Sequence, residues 1–262
     1  MEKEYITILI ANYNNGEYLE ECVESLLSQT SDRWKAIIVD DKSSDNSFEI
    51  YKKYQNHEKI KIYYNQQNIG YIGTLKKLIE LSESDIVGIL DPDDKLDETC
   101  LEKTLNFYDS NPEAEFVYTN FWFCDINLKI KNKGYCKKIP EGKTNLECDC
   151  ISHFKTFRKR AYYRTEGYDE KIKYAEDKDL TFKLEEVAKP YFIDECLYFY
   201  RVKKQSQSRG TNEKLSYKNF QLAKKLARKR RGQENLKDKI ENIIDKIRNF
   251  LLNLMSNKLK NK

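Results

Sequence analysis

Strand-length apolar segments alternate with amphipathic helical segments in the first third of the chain. Four apolar segments lie at residues 5–11, 34–40, 59–64 and 85–90. Between them, apolar residues recur three and four positions apart, which is the spacing of one helix face. Strands that alternate with helices in this way form right-handed crossovers and build a parallel sheet. The sequence therefore predicts an α/β fold with a mostly parallel central sheet flanked by helices.

The second half of the chain is less regular. Residues 114–123 and 191–201 have the pattern of strands, residues 175–188 that of a helix, and residues 128–150 the character of a hairpin. We expect these segments to complete the same domain, because no linker or internal repeat separates them from the first half.

The last part of the chain differs in charge from the rest. Residues 214–262 contain 15 Lys and Arg against four Asp and Glu, whereas residues 1–213 contain 32 basic and 39 acidic side chains. We therefore divide the chain into a domain at 1–213, with halves 1–112 and 113–213, and a basic amphipathic helical tail at 214–262. The acidic body and the lack of a recognised motif argue against a nucleic-acid partner.

The tail carries Ile240, Ile243, Ile244 and Ile247 at helical spacing. Such a helix fits an anionic membrane surface, which attracts basic residues. It fits equally well against its own domain or against a second copy of the chain, so membrane association and self-association both stay open.

The seven cysteines are scattered and odd in number, and the chain enters a strand close to its first residue. This pattern predicts reduced thiols in a cytoplasmic protein. The apolar segments are also shorter than the roughly 20 residues of a spanning helix. We expect a cytoplasmic location, with peripheral contact to the inner face of the membrane left open.

Three carboxylates, Asp91, Asp93 and Asp94, follow the fourth predicted strand. Ligands of α/β sheets bind at the carboxyl ends of the strands, so these side chains lie at the expected edge. Close carboxylates repel one another unless a cation or hydrogen-bond donors separate them, and Mg²⁺ and Mn²⁺ prefer oxygen ligands together with substrate phosphates. The cluster predicts a metal that carries a diphosphate. An Asp-rich turn is the alternative.

Two further acidic pairs follow predicted strands or begin predicted helices. Of Asp40 and Asp41, one can cap the loop while the other accepts a hydrogen bond from a nucleobase; a solvated turn is the alternative. Glu176 and Asp177 begin a helix, where the helix dipole favours negative charge. Asp177 is also a candidate general base.

Six segments occur in order from about residue 5 to residue 208: ITILIANYNNGEYLEECVESLLSQT, WKAIIVDDKSSDNS, NQQNIGYIG, LDPDD, GYDEKIKYAEDKDL and YRVKKQSQS. Together they resemble the family 2 glycosyltransferases with the GT-A fold. The resemblance implies a nucleotide-diphosphate sugar donor, with a UDP-sugar favoured, a Mn²⁺ or Mg²⁺ ion, and inversion at the anomeric carbon. It also implies a glycan or lipid-linked acceptor in the synthesis of a surface polysaccharide or glycoconjugate.

The resemblance assigns roles to individual positions. Asp177 corresponds to the catalytic base, and Asp93 and Asp94 correspond to metal ligands, with the principal ligand left open. The resemblance also implies a set of donor-binding residues: Ala11, Tyr13, Asp41, Asn68, Gly70, Asp91 and Asp93.

The chain departs from the family at one position. Many relatives carry a histidine two residues after the final Tyr-Arg pair, whereas this chain has Lys203. A protonated lysine cannot ligate a metal, but it can contact a phosphate.

Two other functions are considered. A nucleotidyltransferase usually has a Gly-rich loop with a basic residue after the first strand, but residues 11–18 contain no Lys or Arg. A non-catalytic membrane- or partner-binding module on a transferase scaffold would not need all five of these carboxylates together: Asp41, Asp91, Asp93, Asp94 and Asp177.

Overall fold

The computed structural model describes residues 4–203 and 210–234. The first half alternates strands and helices as predicted: β1 (Ile6–Asn12), α1 (Gly16–Leu27), β2 (Trp34–Asp40), α2 (Ser47–Tyr54), β3 (Ile60–Tyr64), α3 (Gly70–Leu81) and β4 (Ile86–Ile89). The second half contains β5 (Lys95–Leu96), α4 (Cys100–Ser110), β6 (Phe116–Cys124), β7 (Ile130–Lys133), α5 (Asn145–Cys148), β8 (Lys155–Arg158), α6 (Lys159–Tyr163), α7 (Glu176–Val187), β9 (Pro190–Arg201) and α8 (Glu213–Arg230), with a short 3-10 helix at Gly210–Asn212.

The strands of the described residues form one sheet in the order β3-β2-β1-β4-β8-β6-β9-β5, with β7 paired to β6. β1 pairs in parallel with β2 and β4, and β2 pairs in parallel with β3. Every residue of β1 is buried, which is typical of a parallel strand that is covered on both faces. The parallel arrangement brings the loops that follow β1, β2 and β4 to one edge.

The second half mixes strand directions. β8 is antiparallel to both β4 and β6, whereas β9 runs parallel to β6. The sequence analysis did not predict β8, although it lies inside the sheet. Gly88 of β4 permits this packing, because a Cβ atom there would lie 2.5 Å from the ring of Phe154. The predicted hairpin is confirmed only at β7, since α5 lies in the rest of 128–150.

Helix α8 packs against α7. A second hydrophobic cluster joins the two helices, and the rings of Phe182 and Phe220 stack with their centroids 6.4 Å apart. Arg231, which directly follows α8, also pairs with Glu185 at 2.8 Å. The first part of the predicted tail therefore contacts the domain, while residues 235–262 lie outside the described residues. The division at residue 213 stays a prediction.

The prediction of reduced thiols is wrong for two cysteines. Cys148 and Cys150 are joined by a disulfide, whereas the other five cysteines are free. Within the described part of the chain, no helix combines the length and the apolar character needed to cross a bilayer.

Candidate active site

A cleft of about 1800 Å³ lies at the carboxyl ends of β1, β2 and β4. Its far wall comes from the beginning of α7 and from α8. The predicted site residues that line it are Ala11, Tyr13, Asp41, Asn68, Gly70, Asp91, Asp93 and Asp177. Asp94 is not among the lining residues.

Asp40 and Asp41 have different surroundings. Asp40 accepts hydrogen bonds from the Tyr51 hydroxyl (2.7 Å) and from the backbone N–H of Ser43 (2.9 Å). It therefore caps the loop after β2, whereas the next residue, Asp41, faces the cleft. This is the division of roles that the sequence analysis left open between the two residues.

Asp41 binds the loop that precedes α3. Its carboxylate accepts hydrogen bonds from the backbone N–H groups of Ile69 and Gly70, both at 2.8 Å, and from the Asn65 amide at 2.9 Å. The Asn68 amide donates to the Asp41 carbonyl at 3.1 Å. A carboxylate has about four acceptor positions, so Asp41 can still accept one further hydrogen bond from a ligand.

Asp94 has a structural environment. It is 1% exposed, and its two carboxylate oxygens accept hydrogen bonds from the Tyr198 hydroxyl (2.7 Å) and from the backbone N–H of Arg201 (2.6 Å). Burial, together with the nearby charges of Asp93 and Asp91, raises its pKa well above the usual range. Asp94 thus ties the Asp-rich turn to the end of β9.

The other two carboxylates of the turn face the cleft. The Tyr71 hydroxyl donates to Asp91 at 2.7 Å, and burial together with the charge of Asp93 raises the pKa of Asp91 to about 6. Asp93 pairs with the Lys203 ammonium, with 2.6 Å between Nζ and Oδ2. The repulsion among the three carboxylates is therefore offset by donors and cations of the protein itself.

These contacts bear on the predicted metal. Among the described residues, no group of three or more His, Cys, Asp or Glu side chains is arranged to hold a metal ion. A metal shared by Asp93 and Asp94 would have to replace the Lys203 pair and the bonds to Tyr198 and Arg201. The donor set does not fit such a metal, and the Mn²⁺ or Mg²⁺ ion stays a prediction.

Asp177 lies in the first turn of α7 and faces the same cleft. Its side chain is 42% exposed, and the Lys155 ammonium donates to it at 3.1 Å. Burial acts to raise the pKa of Asp177, but the charges of Lys155 and Lys178 outweigh it and hold this pKa well below the usual range. The carboxylate is consequently ionised at neutral pH, and the same lysine charges weaken it as a base.

Glu176, the neighbour of Asp177, is only 6% exposed. Burial and the charge of Asp177 raise the pKa of Glu176 to about 7. The pKa values of these two consecutive carboxyl groups are therefore shifted in opposite directions, that of Glu176 upward and that of Asp177 downward.

Aromatic rings cover the wall of the cleft between the Asp91–Asp93 turn and the beginning of α7. His153 stacks on Tyr198 and Tyr200, with centroid distances of 4.7 and 5.1 Å, and Phe121 meets its ring edge-on at 5.6 Å. Burial and the charge of Lys155 lower the pKa of His153 to about 3, so the imidazole is neutral. Of these rings, Phe121, His153 and Tyr200 line the cleft.

The sequence analysis missed the residues that engage the carboxylates, namely Tyr71, Lys155, Tyr198 and Arg201. No local spacing in the sequence indicated them. Asp94 and Arg201, for example, are joined by a hydrogen bond but lie 107 residues apart in the chain. Tyr71 had a weak signal, because it follows Gly70 in the first turn of α3, at the predicted ligand-binding edge. The lining by Lys214 and Tyr217 was also missed, since both lie in the predicted tail.

The family model for glycosyl transferase family 2 matches residues 7–165. This match covers more than half of the chain, and the chain belongs to glycosyltransferase family 2. The E. coli chondroitin synthase is 30% identical over 194 residues, which are 74% of this chain and 28% of that protein. The putative teichuronic acid biosynthesis glycosyltransferase TuaG of Bacillus subtilis is 35% identical over 106 residues, which are 40% of this chain and 42% of that protein.

The fold also matches solved structures. S. aureus TarS in complex with UDP-GlcNAc superimposes with a TM-score of 0.71 and 19% identity, covering 85% of this chain and 66% of that chain. The predicted GT-A fold is confirmed by this likeness. The chain spans about a quarter of the length of the chondroitin synthase, so the activity of that whole protein does not carry over.

Proposed function

We propose that this chain transfers a sugar from a nucleotide-diphosphate sugar to an acceptor hydroxyl, with inversion at the anomeric carbon. The observation that carries the proposal is that one cleft contains Asp41, the Asp91–Asp93 turn and Asp177. Asp177 also contributes to the raised pKa of Asp91, so the two ends of the cleft act on each other electrostatically. A donor bound along the sheet edge would therefore extend toward Asp177.

The loop held by Asp41 supports binding of the nucleoside. Its backbone is fixed by hydrogen bonds to the carboxylate, and one acceptor position of Asp41 remains for a base N–H. Tyr13 is 50% exposed at the same end and offers a ring face to a base. The TarS complex contains UDP-GlcNAc, and this supports a UDP-sugar as the first donor to test.

The acceptor hydroxyl would approach Asp177. Its carboxylate removes the proton while the acceptor oxygen attacks the sugar carbon from the face opposite the nucleotide, so the configuration inverts. The Lys155 ammonium donates a hydrogen bond to the Asp177 carboxylate. The acceptor hydroxyl must therefore share this carboxylate with Lys155 or displace the ammonium from it. Glu176 has a pKa better matched to neutral pH, but it is 6% exposed and less accessible to a hydroxyl.

A divalent ion bound with the donor would neutralise the charge that grows on the departing diphosphate. The carboxylates already have partners within the protein, so no step is assigned to that ion. The proposed work of the chain's own residues is donor binding at Asp41 and Asp91 and proton transfer at Asp177.

The names of the relatives support a polymer product. Chondroitin synthase and TuaG are both named for polysaccharide synthesis, which favours a surface polysaccharide or glycoconjugate as the product here. The acceptor we propose is a glycan, either free or linked to a lipid. Contact with a membrane or with a second copy through residues 214–262 also belongs to this proposal, and Lys214 and Tyr217 of this range line the cleft.

The test combines donor binding with transfer. The full chain is incubated with UDP-, GDP-, TDP- and CMP-sugars with and without Mn²⁺, and nucleotide release is measured with glycan acceptors. Asp177→Asn should lower transfer by a factor of about 10² to 10⁴ while the donor Kd stays unchanged. Asp194→Asn, at an exposed position of β9, is the control. Full activity of Asp177→Asn would remove Asp177 from the mechanism, and failure of every donor to bind would refute the function.

A further inference from the structure

Two cations approach the acidic turn from the end of β9. The Arg201 guanidinium donates to the backbone oxygens of Asp93 and Ile126 and to the Glu21 carboxylate. Its side chain is 2% exposed and does not line the cleft. Arg201 is therefore committed to the protein, and it balances the charge of the turn from behind.

Lys203 differs from Arg201 because it lines the cleft. Its side chain is 20% exposed, and its ammonium contacts Asp93 Oδ2 at 2.6 Å and Asn15 Oδ1 at 3.3 Å. The ring of Tyr18 lies beneath the ammonium, with the centroid 5.0 Å away. These three partners fix a positive charge on the cleft side of the turn.

An anionic diphosphate cannot approach this turn without a cation, because Asp91 and Asp93 both face the cleft. An ammonium has three donors, and two of those of Lys203 have partners in Asp93 and Asn15. Within residues 4–203 and 210–234, the third donor has no further partner, which leaves it for a phosphate oxygen. The Asp93 pair cancels one charge locally, but the ammonium still presents an N–H group where the carboxylates alone would repel the ligand.

We propose that Lys203 binds the diphosphate of the donor and supplies there part of the positive charge that the predicted metal would supply. The proposal rests on the proposed function, since it needs a nucleotide-diphosphate ligand. It follows from the poor fit of Asp93 and Asp94 to a metal and from the lysine that contacts Asp93. Asp93 and Tyr18 act as positioning residues for the ammonium.

The proposal predicts which part of the ligand senses Lys203. The affinities of UDP, GDP and TDP and of the matching nucleosides are measured by calorimetry with the full chain, in EDTA and in Mn²⁺. The pair with the tightest diphosphate is then compared in the wild type, Lys203→Met, Lys203→Gln and Lys61→Met. Lys61 is a matched control, because it is an ion-paired lysine on β3 outside the cleft.

In EDTA, the wild type should bind the diphosphate, and Lys203→Met should weaken that binding by about tenfold or more, as expected for the loss of a charged hydrogen bond. The nucleoside should bind both proteins equally, and Lys61→Met should behave as the wild type. Lys203→Gln tests the same charge if Lys203→Met does not fold, as judged by thermal unfolding.

Three results would overturn the proposal. The first is equal diphosphate binding by the wild type and the Lys203 variants. The second is an equal loss for nucleoside and diphosphate, which would make Lys203 a purely structural residue. The third is a wild type that binds the diphosphate only with Mn²⁺. In each of these the proposed function stands, whereas failure of every nucleotide and sugar donor to bind under either condition refutes the function as well.

Discussion

The two ends of the cleft surround their carboxylates in opposite ways. At the donor end, Asp91 lies beside Asp93, and burial with this like charge raises the pKa of Asp91 to about 6. At the other end, Asp177 lies among lysines, and Lys155 and Lys178 outweigh burial and lower its pKa. Negative charge is therefore unfavourable at the donor end, whereas the ionised form of Asp177 is stabilised at the other end.

This difference teaches what each end can do. Carboxylates that are crowded together attract a cation or a ligand that brings one, which suits binding. A carboxylate that is ionised and 42% exposed carries no proton and can be reached by a ligand hydroxyl, while the lysine beside it lowers its strength as a base. Charge surroundings, rather than residue type, separate the binding end from the proposed catalytic end.

The largest effect is expected when the catalytic end loses its support from α8. A chain that ends at residue 212 lacks α8 and exposes Phe182 and its neighbours, which should lower the free energy of unfolding by roughly 3 to 6 kcal/mol. A chain that ends at residue 234 keeps α8 and is the matched control for its loss. Urea unfolding of the three proteins measures this. Equal stability of the two truncated chains would show that α8 does not support α7.

The next effect tests the role of Asp94 at the donor end. Asp94→Ala leaves the Tyr198 hydroxyl and the Arg201 backbone N–H without an acceptor in a buried place. Each orphaned group costs about 1 to 3 kcal/mol, so the loss of both should lower stability by about 2 to 6 kcal/mol. The Asp93 side chain is 19% exposed. Asp93→Ala should therefore lower stability much less than Asp94→Ala does, and it should weaken donor binding more. A stable Asp94→Ala protein with lost Mn²⁺ binding would restore Asp94 as a metal ligand.

The sequence predicted the donor half of the fold better than the catalytic half. β1, β2 and β4 are continuous apolar segments because parallel strands are buried on both faces, and this pattern is visible in the sequence. β8 reads Lys-Thr-Phe-Arg and has no such pattern. Its position inside the sheet depends on pairing with distant strands, β4 and β6, which no local window contains.

The same limit applies to the site. Asp41 and Asp91 could be predicted because they directly follow strands, and parallel strands end at one edge. Lys155, by contrast, precedes Asp177 by 22 residues, and only the fold brings their side chains together. The direction of each pKa shift therefore could not be predicted from the sequence, because it depends on charged side chains that only the fold brings close.

A smaller effect should separate Glu176 from Asp177. The pKa of Glu176 rises to about 7 in the folded chain from about 4.3 in the unfolded chain, so the folded state binds its proton more tightly. Stability should consequently fall as pH rises from about 4 to 7, by up to about 4 kcal/mol, and stay lowered above pH 7. Glu176→Gln should remove this loss and be more stable than the wild type at pH 8.

Unfolding in urea at several pH values measures this difference, with Glu141→Gln in an exposed loop as the control. A stability difference between Glu176→Gln and the wild type that does not change with pH would contradict the raised pKa.

The smallest effect concerns the pH dependence of transfer. Lys155 lowers the pKa of Asp177, and it also lowers that of Asp91, so Lys155→Met should raise both. The acid limb of kcat/KM should move to higher pH by about one unit, at the low end for a neighbouring charge because Asp177 is partly exposed to solvent. Lys155→Arg keeps the charge and should keep the profile. If Lys155→Met loses activity equally at every pH, Lys155 holds the shape of the cleft instead of setting the charge of its catalytic end.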